Sequence, residues 1–341
     1  MSHNLNHGNM AYVGEEPWHG LGKRVPANVS ADEMIKAAGL DWLVEKRPAR
    51  GAAMVWARNA DLMEPGAVVG PQDEVKFSRY ELVRPPYQGQ RHETVLGIVS
   101  DRYEPLQNKE AFAFFDPIVD QQRAGFETAG ALGDGERIWV MARMPGDIEV
   151  ARGDTCQKYL LLSNTHTGRG SVIVKFTAIR VVCQNTLMMS LEDGQTAYRV
   201  RHSKKMTDRL QEVAKLIAAA NEVYATAEKQ FKVMAAKKLN ETAFNQYLNL
   251  IFPKTPYQQK KGLEPQRWTH IRQLFRTHDD LQLPGVRGTL WSAYNAITYF
   301  EDHKRIDRES AAGRLDRVWF GGGAETKYKA LDKAREFMGV N

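Results

Sequence analysis

YLLLSNTHTGRGSVIVKFTAIRVVCQN, residues 159–185, reads as two β-strands joined by a turn. The apolar run Tyr159 to Leu162 leads in. Asn164 to Gly170 then gathers Asn, Thr, His, Gly and Arg, a turn-marking cluster because Gly and Asn accept positive φ. The return run, Val172 to Val182, is rich in β-branched residues and too poor in polar ones for a surface helix. It carries two charges, Lys175 and Arg180. Strict period-two alternation sends them to opposite faces, whereas a bulge between them brings both to one face; the spacing leaves both arrangements open. Neither charge belongs unpaired in a dry core, so each requires solvent, a carboxylate or a phosphate.

Beyond Asn185 the chain passes the turn-like Glu192, Asp193 and Gly194 and reads YRVRHSKKMTDR. Arg199, Arg201, Lys204, Lys205 and Arg209 stand there against one acid, Asp208. This is either a solvated strand-to-helix link or a phosphate-binding stripe beside a sheet. From Met206 to Leu239 apolar residues (Leu210, Val213, Leu216, Ile217, Ala220, Val223, Tyr224, Ala227, Phe231, Met234, Leu239) recur at three- and four-residue spacing with no Pro or Gly. They predict one helix of roughly 50 Å at 1.5 Å per residue, long enough to outrun a small sheet and pack on it at one end and on the C-terminal region, or another subunit, at the other.

Upstream, Asn108 to Asp120 predicts a helix capped by Asn108 and kinked or restarted at Pro117. Phe126–Leu132 and Arg137–Arg143 flank Gly133-Asp134-Gly135, a hairpin signal. Ser30 to Gly39 predicts a short helix with Ser30 as N-cap, Glu33 completing a capping box and Gly39 ending it. Strand-like pieces at Trp42–Lys46, Met54–Arg58, Val75–Val83 and Val95–Ser100 are separated by Pro and Gly. Downstream, Lys254 to Arg276 interleaves bases with Tyr257, Trp268 and Phe275. That pattern suits strand binding, but equally an amphipathic helix with Trp268, Ile271, Leu274 and Phe275 inward. A further amphipathic helix spans Gly288 to Arg305, and Gly321-Gly322-Gly323 precedes a short helix to Met338.

The fold class expected is α+β: an antiparallel sheet core in α-β-β-β-β-α order, a long packing helix and a mostly helical C-terminal region. The chain divides into an N-terminal arm (1–29), a β-rich region (30–105), the α+β core (106–240) and the helical remainder (241–341).

The 341 residues can bury a large core. Charge is +6, from 47 bases and 41 acids, and the pI is near 9.1. That balance mildly favours an anionic partner and disfavours an acidic DNA mimic. Two cysteines, Cys156 and Cys183, form no framework, so a reducing cytoplasm is the simpler setting. MSHNLNHGNM lacks the apolar stretch of a signal peptide, and no apolar run is long enough to span a membrane. The arm carries His3, His7 and Trp18-His19-Gly20-Leu21-Gly22, without the further ligands a metal site needs or the spacing of a phosphate loop.

Motifs for metalloprotease, hydrolase, P-loop and dinucleotide chemistry are absent from the sequence. Cys183, His166 and Asn185 are the right types for a thiol acyl-transfer site, although Cys183 among valines reads more simply as a small buried residue. Glu127, Asp134, Glu136 and Asp154 are acids suited to holding Mg²⁺ for nucleic-acid hydrolysis, but most lie in turns, where solvated acids are expected. No catalytic residue, metal or cofactor is therefore assigned.

Several stretches resemble the family known as domain of unknown function 932, phage/plasmid-like proteins. They are the Trp18–Gly22 motif, Arg102-Tyr103-Glu104-Pro105-Leu106-Gln107-Asn108, Phe126-Glu127-Thr128-Ala129-Gly130, and Leu162-Ser163-Asn164-Thr165-His166. Arg180-Val181-Val182-Cys183-Gln184-Asn185-Thr186-Leu187, Val200-Arg201-His202-Ser203 and Trp291-Ser292-Ala293-Tyr294-Asn295-Ala296 complete the set. The resemblance covers almost the whole chain and implies a mobile element in a bacterial cytoplasm, without naming an activity. The order of elements is similar to that of single-strand annealing proteins (the Rad-type annealases, Red-beta, RecT and Erf). Those place single-stranded DNA in a basic groove between sheet and helix and assemble as rings or filaments. By that topology the groove here would be lined by Arg169, Lys175, Arg180, Arg199, Arg201, Lys204 and Lys205, with Tyr198 or Phe176 stacking on bases. The function expected is non-enzymatic binding and annealing of single-stranded DNA by a homo-oligomer. The alternatives are a nucleic-acid or nucleotide-processing enzyme, and a protein that binds a host factor to counter defence.

Overall fold

Alternation along the central hairpin organises the molecule. The computed structural model describes residues 9–14, 22–49, 79–87, 90–122, 124–182, 185–189, 197–218, 221–305 and 316–338. In chain order the elements are β1 (Met10–Val13), β2 (Lys23–Val25), α1 (Ala31–Ala37), β3 (Glu45–Pro48), β4 (Tyr80–Arg84), β5 (Thr94–Val99), α2 (Asn108–Ala113) and α3 (Asp116–Gln122). Next come β6 (Gly125–Leu132), β7 (Arg137–Ala151), β8 (Asp154–Thr165), β9 (Val172–Arg180), β10 (Asn185–Met188) and β11 (Tyr198–Val200). The remainder is helical: α4 (Met206–Ala218), α5 (Asn221–Ala236), α6 (Glu241–Ile251), α7 (Pro256–Lys261), α8 (Gln266–Thr277), α9 (Leu290–Tyr299) and α10 (Gly322–Met338).

The main sheet runs β10-β9-β8-β7-β6-β1-β2, with β11 sharing the outer edge of β9 beside β10. All pairs are antiparallel except β1 with β2. A smaller sheet, β3-β4-β5, is not hydrogen-bonded into it but sends Leu82, Leu96 and Val99 into the same core. Part of the expected arm is thus sheet: β1 pairs with β6 through Met10, Ala11 and Tyr12. The Trp18–His19 cluster, His3, His7 and the expected strand Met54–Arg58 lie outside the described residues.

No register shift interrupts the β8–β9 pairing, so alternation is strict. Leu160, Leu162, Val172, Val174, Phe176 and Ala178 enter the main core. Tyr159 and Leu161 face the other way with Trp139 and Met141. Lys175 and Arg180 therefore lie on opposite faces, because their separation of five residues is odd.

Helices cover the main-core face. Phe112 of α2 and Phe115 meet Phe126 of β6 at ring distances of 5.7 and 6.0 Å. Tyr224 of α5 meets Phe176 edge-on at 5.3 Å. Each such aromatic contributes about 1.5–3 kcal/mol by leaving water. In α9 every residue from Leu290 to Thr298 is buried, as fits a helix enclosed on all sides.

The expected 206–239 helix is carried by α4 and α5, with 219–220 outside the described residues. It stops at Ala236, because the chain then bridges to the start of α9: Leu239 donates to the Gly288 carbonyl at 2.9 Å and Leu290 to that of Lys237 at 2.8 Å. The 108–120 segment divides around Phe114 and Phe115, and its N-cap is Gln107. Asn108 is buried instead and donates to the Leu40 carbonyl at 2.9 Å. Ser30 forms the expected capping box with Glu33. Gly97 allows β5 to press on the hairpin tip, since a Cβ there would sit 2.4 Å from the Thr167 backbone.

Candidate nucleic-acid interface

Two sets of charges distinguish the two sides of the sheet. The first is buried and paired. Arg180, fully buried, donates through Nε to Asp154 Oδ1 at 2.7 Å and through its terminal nitrogen to Oδ2 at 2.9 Å. It also donates to the Asp280 carbonyl at 2.7 Å, and Trp291 Nε1 donates to Asp154 Oδ2 at 2.8 Å. This bidentate geometry suits a guanidinium–carboxylate fork. It pins β8 and β9 to α9. Arg180 is accordingly a junction residue and not part of a groove.

The second set sits on the opposite face and at one end of β9. Arg137, Trp139, Tyr159, Lys175 and Arg199 share that face: Arg199 pairs in register with Ile173, two residues from Lys175. Lys175 is 4% exposed, held by the Trp319 carbonyl and by the Phe320 ring 5.0 Å away. Among the described residues no carboxylate pairs with it. Burial, then repulsion from Lys327, Arg199 and Arg137, push its amine down to about 7. Arg143 lies over the Tyr159 ring at 5.5 Å. Near it, burial raises the Glu127 carboxyl against the pull of Arg143.

Arg199 joins this face to an exposed basic corner. β11 ends at Val200, in register with Val172, and Arg169 lies three residues before Val172 in the hairpin loop. Arg201, Lys204 and Lys205 follow directly, so topology brings all of them to one end of the sheet. Arg169, Arg199, Arg201, Lys204 and Lys205 are all exposed, and among the described residues none joins an ion pair. Five of the seven expected groove residues thus gather there. Lys175 lies on the adjoining face under the 316–320 segment, and Arg180 is on the other side. Phe176 is buried against Tyr224 and has no free ring face for a base. Tyr198 packs partly on the core.

The other candidates separate. His166 is fully buried; its Nε2 lies 3.2 Å from Asn108 Oδ1 and 3.4 Å from Asn164 Nδ2. Burial, reinforced by His202, pushes it down to about 3, so it is a neutral structural group at neutral pH. Asn185 begins β10, paired with Arg180 at the end of β9 away from the hairpin loop, and donates to Thr298 Oγ1 at 2.9 Å and to the Asn295 carbonyl. Cys183 lies outside the described residues. The acids are equally dispersed. Asp134 and Glu136 occupy the β6–β7 turn, whereas Asp154 is at the opposite end of β7 and consumed by Arg180. Among the described residues no group of three His, Cys, Asp or Glu is placed to hold a metal. In the 254–276 stretch Trp268, Ile271 and Leu274 point inward, and Arg272 pairs with Glu264 at 2.6 Å, the amphipathic-helix arrangement.

Arg137, Trp139 and the segment Asp316–Phe320 were not singled out by sequence reasoning. Period two along β7 already aligns Arg137, Trp139 and Arg143 on one face. Nothing local signals that Asp316, about 180 residues away, meets Arg137 at 2.7 Å.

Several of the family-like motifs converge. Tyr103 stacks on His202 at 4.5 Å and donates to the Thr165 carbonyl at 3.0 Å; Asn164 donates to the Leu106 carbonyl at 3.1 Å. Among the described residues no helix is long and apolar enough to cross a membrane. No curated protein and no solved structure matches the chain. A family model described as "Domain of unknown function (DUF932)" matches residues 95–319. That span, well over half of the 341 residues, contains strands β6 to β11 and helices α2 to α9, and the chain belongs to this family.

Proposed function

We propose that this protein binds and anneals single-stranded DNA without covalent chemistry, as a homo-oligomer. The observation that carries the reading is the unpaired basic corner formed by Arg169, Arg199, Arg201, Lys204 and Lys205. Exposed cations without acids release counterions when they meet phosphates, and that gain is lost as salt rises. On the adjoining sheet face Arg137, Lys175 and the Trp139 ring are covered by residues 316–320; uncovered, they would be a mix of cations and aromatics suited to backbone and base together. The oligomeric part rests on the resemblance to annealing proteins.

The test is binding of labelled single-stranded and duplex oligonucleotides at low and moderate salt, with light scattering on the same sample. Single-strand preference that fades with salt, on a multi-subunit particle, is expected. The triple reversal Arg201→Glu, Lys204→Glu, Lys205→Glu should flatten the slope of log affinity against log salt by about 2, near 0.7 per lost single-strand contact. An unchanged slope removes the corner from the interface. Absence of binding at low salt by a monomer sinks the reading and turns attention to host-protein partners.

A further inference from the structure

The 316–320 segment, Asp-Arg-Val-Trp-Phe, crosses the sheet face that adjoins the basic corner. Its contacts copy those of a nucleotide. Asp316 sets a carboxylate 2.7 Å from Arg137 Nε, where a phosphate oxygen would suit the guanidinium equally. Trp319 lies edge-on to Trp139 at 5.7 Å. The Phe320 ring lies 4.6 Å from the Arg137 guanidinium and 5.0 Å from the Lys175 amine, as a base would under cations. Trp319 also offers its carbonyl to Lys175.

The imitation is incomplete. Arg137, Lys175 and Arg199 meet there against Asp316 as the acid of the segment. Lys175 is buried without a carboxylate, a costly placement for an ammonium. Trp139 Nε1 is buried with no acceptor among the described residues. A phosphodiester would supply a full negative charge and further acceptor oxygens. Within the strap, Arg317 holds Glu301 at 2.9 Å, so one side chain anchors it to the helical region while its aromatics lie on the sheet.

We propose that residues 316–320 form a strap that occupies a nucleotide subsite, and that single-stranded DNA displaces it to reach Arg137, Lys175 and Trp139. The inference rests on the single-stranded DNA reading and adds a second subsite, closed in the free protein. If the free protein is open about a tenth of the time, removing the strap tightens apparent affinity about tenfold.

The experiment uses the full chain and a labelled oligo-dT. Trp319→Ala with Phe320→Ala is compared with the unmodified protein, and Asp316→Asn serves as the milder variant where the double one fails to fold. Hydrogen exchange of residues 316–320 is followed in the unmodified protein with and without oligo-dT. Tighter binding by the strap variants, abolished by adding Lys175→Ala, with faster exchange of the strap on binding, is the result expected. Binding by the unmodified protein, with strap variants no tighter and strap exchange unchanged or slowed, overturns the strap and leaves the binding reading intact. Silence from every protein overturns both.

Discussion

The Asp154–Arg180–Trp291 junction and the Arg137–Lys175–Arg199 face lie on opposite sides of the same strands. Both hold buried or half-buried cations. In the junction the guanidinium finds a carboxylate in fork geometry, a carbonyl, and an indole that satisfies the same acid. On the other face Lys175 finds one carbonyl and a ring. A charge with its partners supplied by the fold is a fastener. A charge buried without them costs stability, or is shed as the group gives up its proton, which the lowered Lys175 amine does near neutral pH. The difference separates a cation whose partners the fold supplies in full from one whose partners it supplies in part.

Three measurements bear on that contrast, the first with the largest effect. Arg180→Ala should lower unfolding free energy by about 3–5 kcal/mol, because Asp154 is left buried and unpaired. Urea denaturation reads it, and an unchanged midpoint would remove the junction from the fasteners. Next, Lys175→Met should raise stability by about 1–3 kcal/mol, since an apolar side chain of similar length replaces an uncompensated charge, while weakening oligonucleotide binding. A destabilised Lys175→Met protein would make Lys175 a fastener too, and erase the distinction between the faces.

The smallest effect concerns His166. Its folded pKa, about 3, lies below the ordinary value of 6.5. The unfolded chain therefore takes up a proton that the folded chain refuses. Stability is intact above about pH 6.5 and falls as pH drops toward 3, by about 2 kcal/mol at pH 5 from this group. Comparing urea midpoints at pH 7.5 and 5 for the unmodified protein and His166→Gln checks it. Equal losses in the two would assign the acid sensitivity to other groups.

The basic link illustrates what was legible in advance. Arg199, Arg201, Lys204 and Lys205 are close in sequence, and a run of charge at a strand-to-helix junction is exposed almost wherever it falls. Arg169 joined them because a hairpin loop returns to the same end of the sheet. Arg180 misled because five residues in a strand invert the face, and its partner Asp154 reads as a solvated turn acid. His166 and Asn185 looked like neighbours in a list of residue types, yet His166 follows β8 at the hairpin loop, whereas Asn185 begins β10 beside Arg180 at the other end of β9.

By itself the sequence determined the local structure: the capping box of Ser30 and Glu33, the hairpins on either side of Gly133–Gly135 and Gly168–Gly170, and the periodic stripe behind the sheet. These follow from backbone sterics and apolar spacing within a few residues. Only the tertiary structure decided which cations are satisfied. Pairing Arg180 with Asp154, Asn185 with Thr298 and Arg137 with Asp316 depends on contacts between residues 26 to about 180 positions apart. Chain spacing carries no record of such distances, because the packing of the whole core sets them.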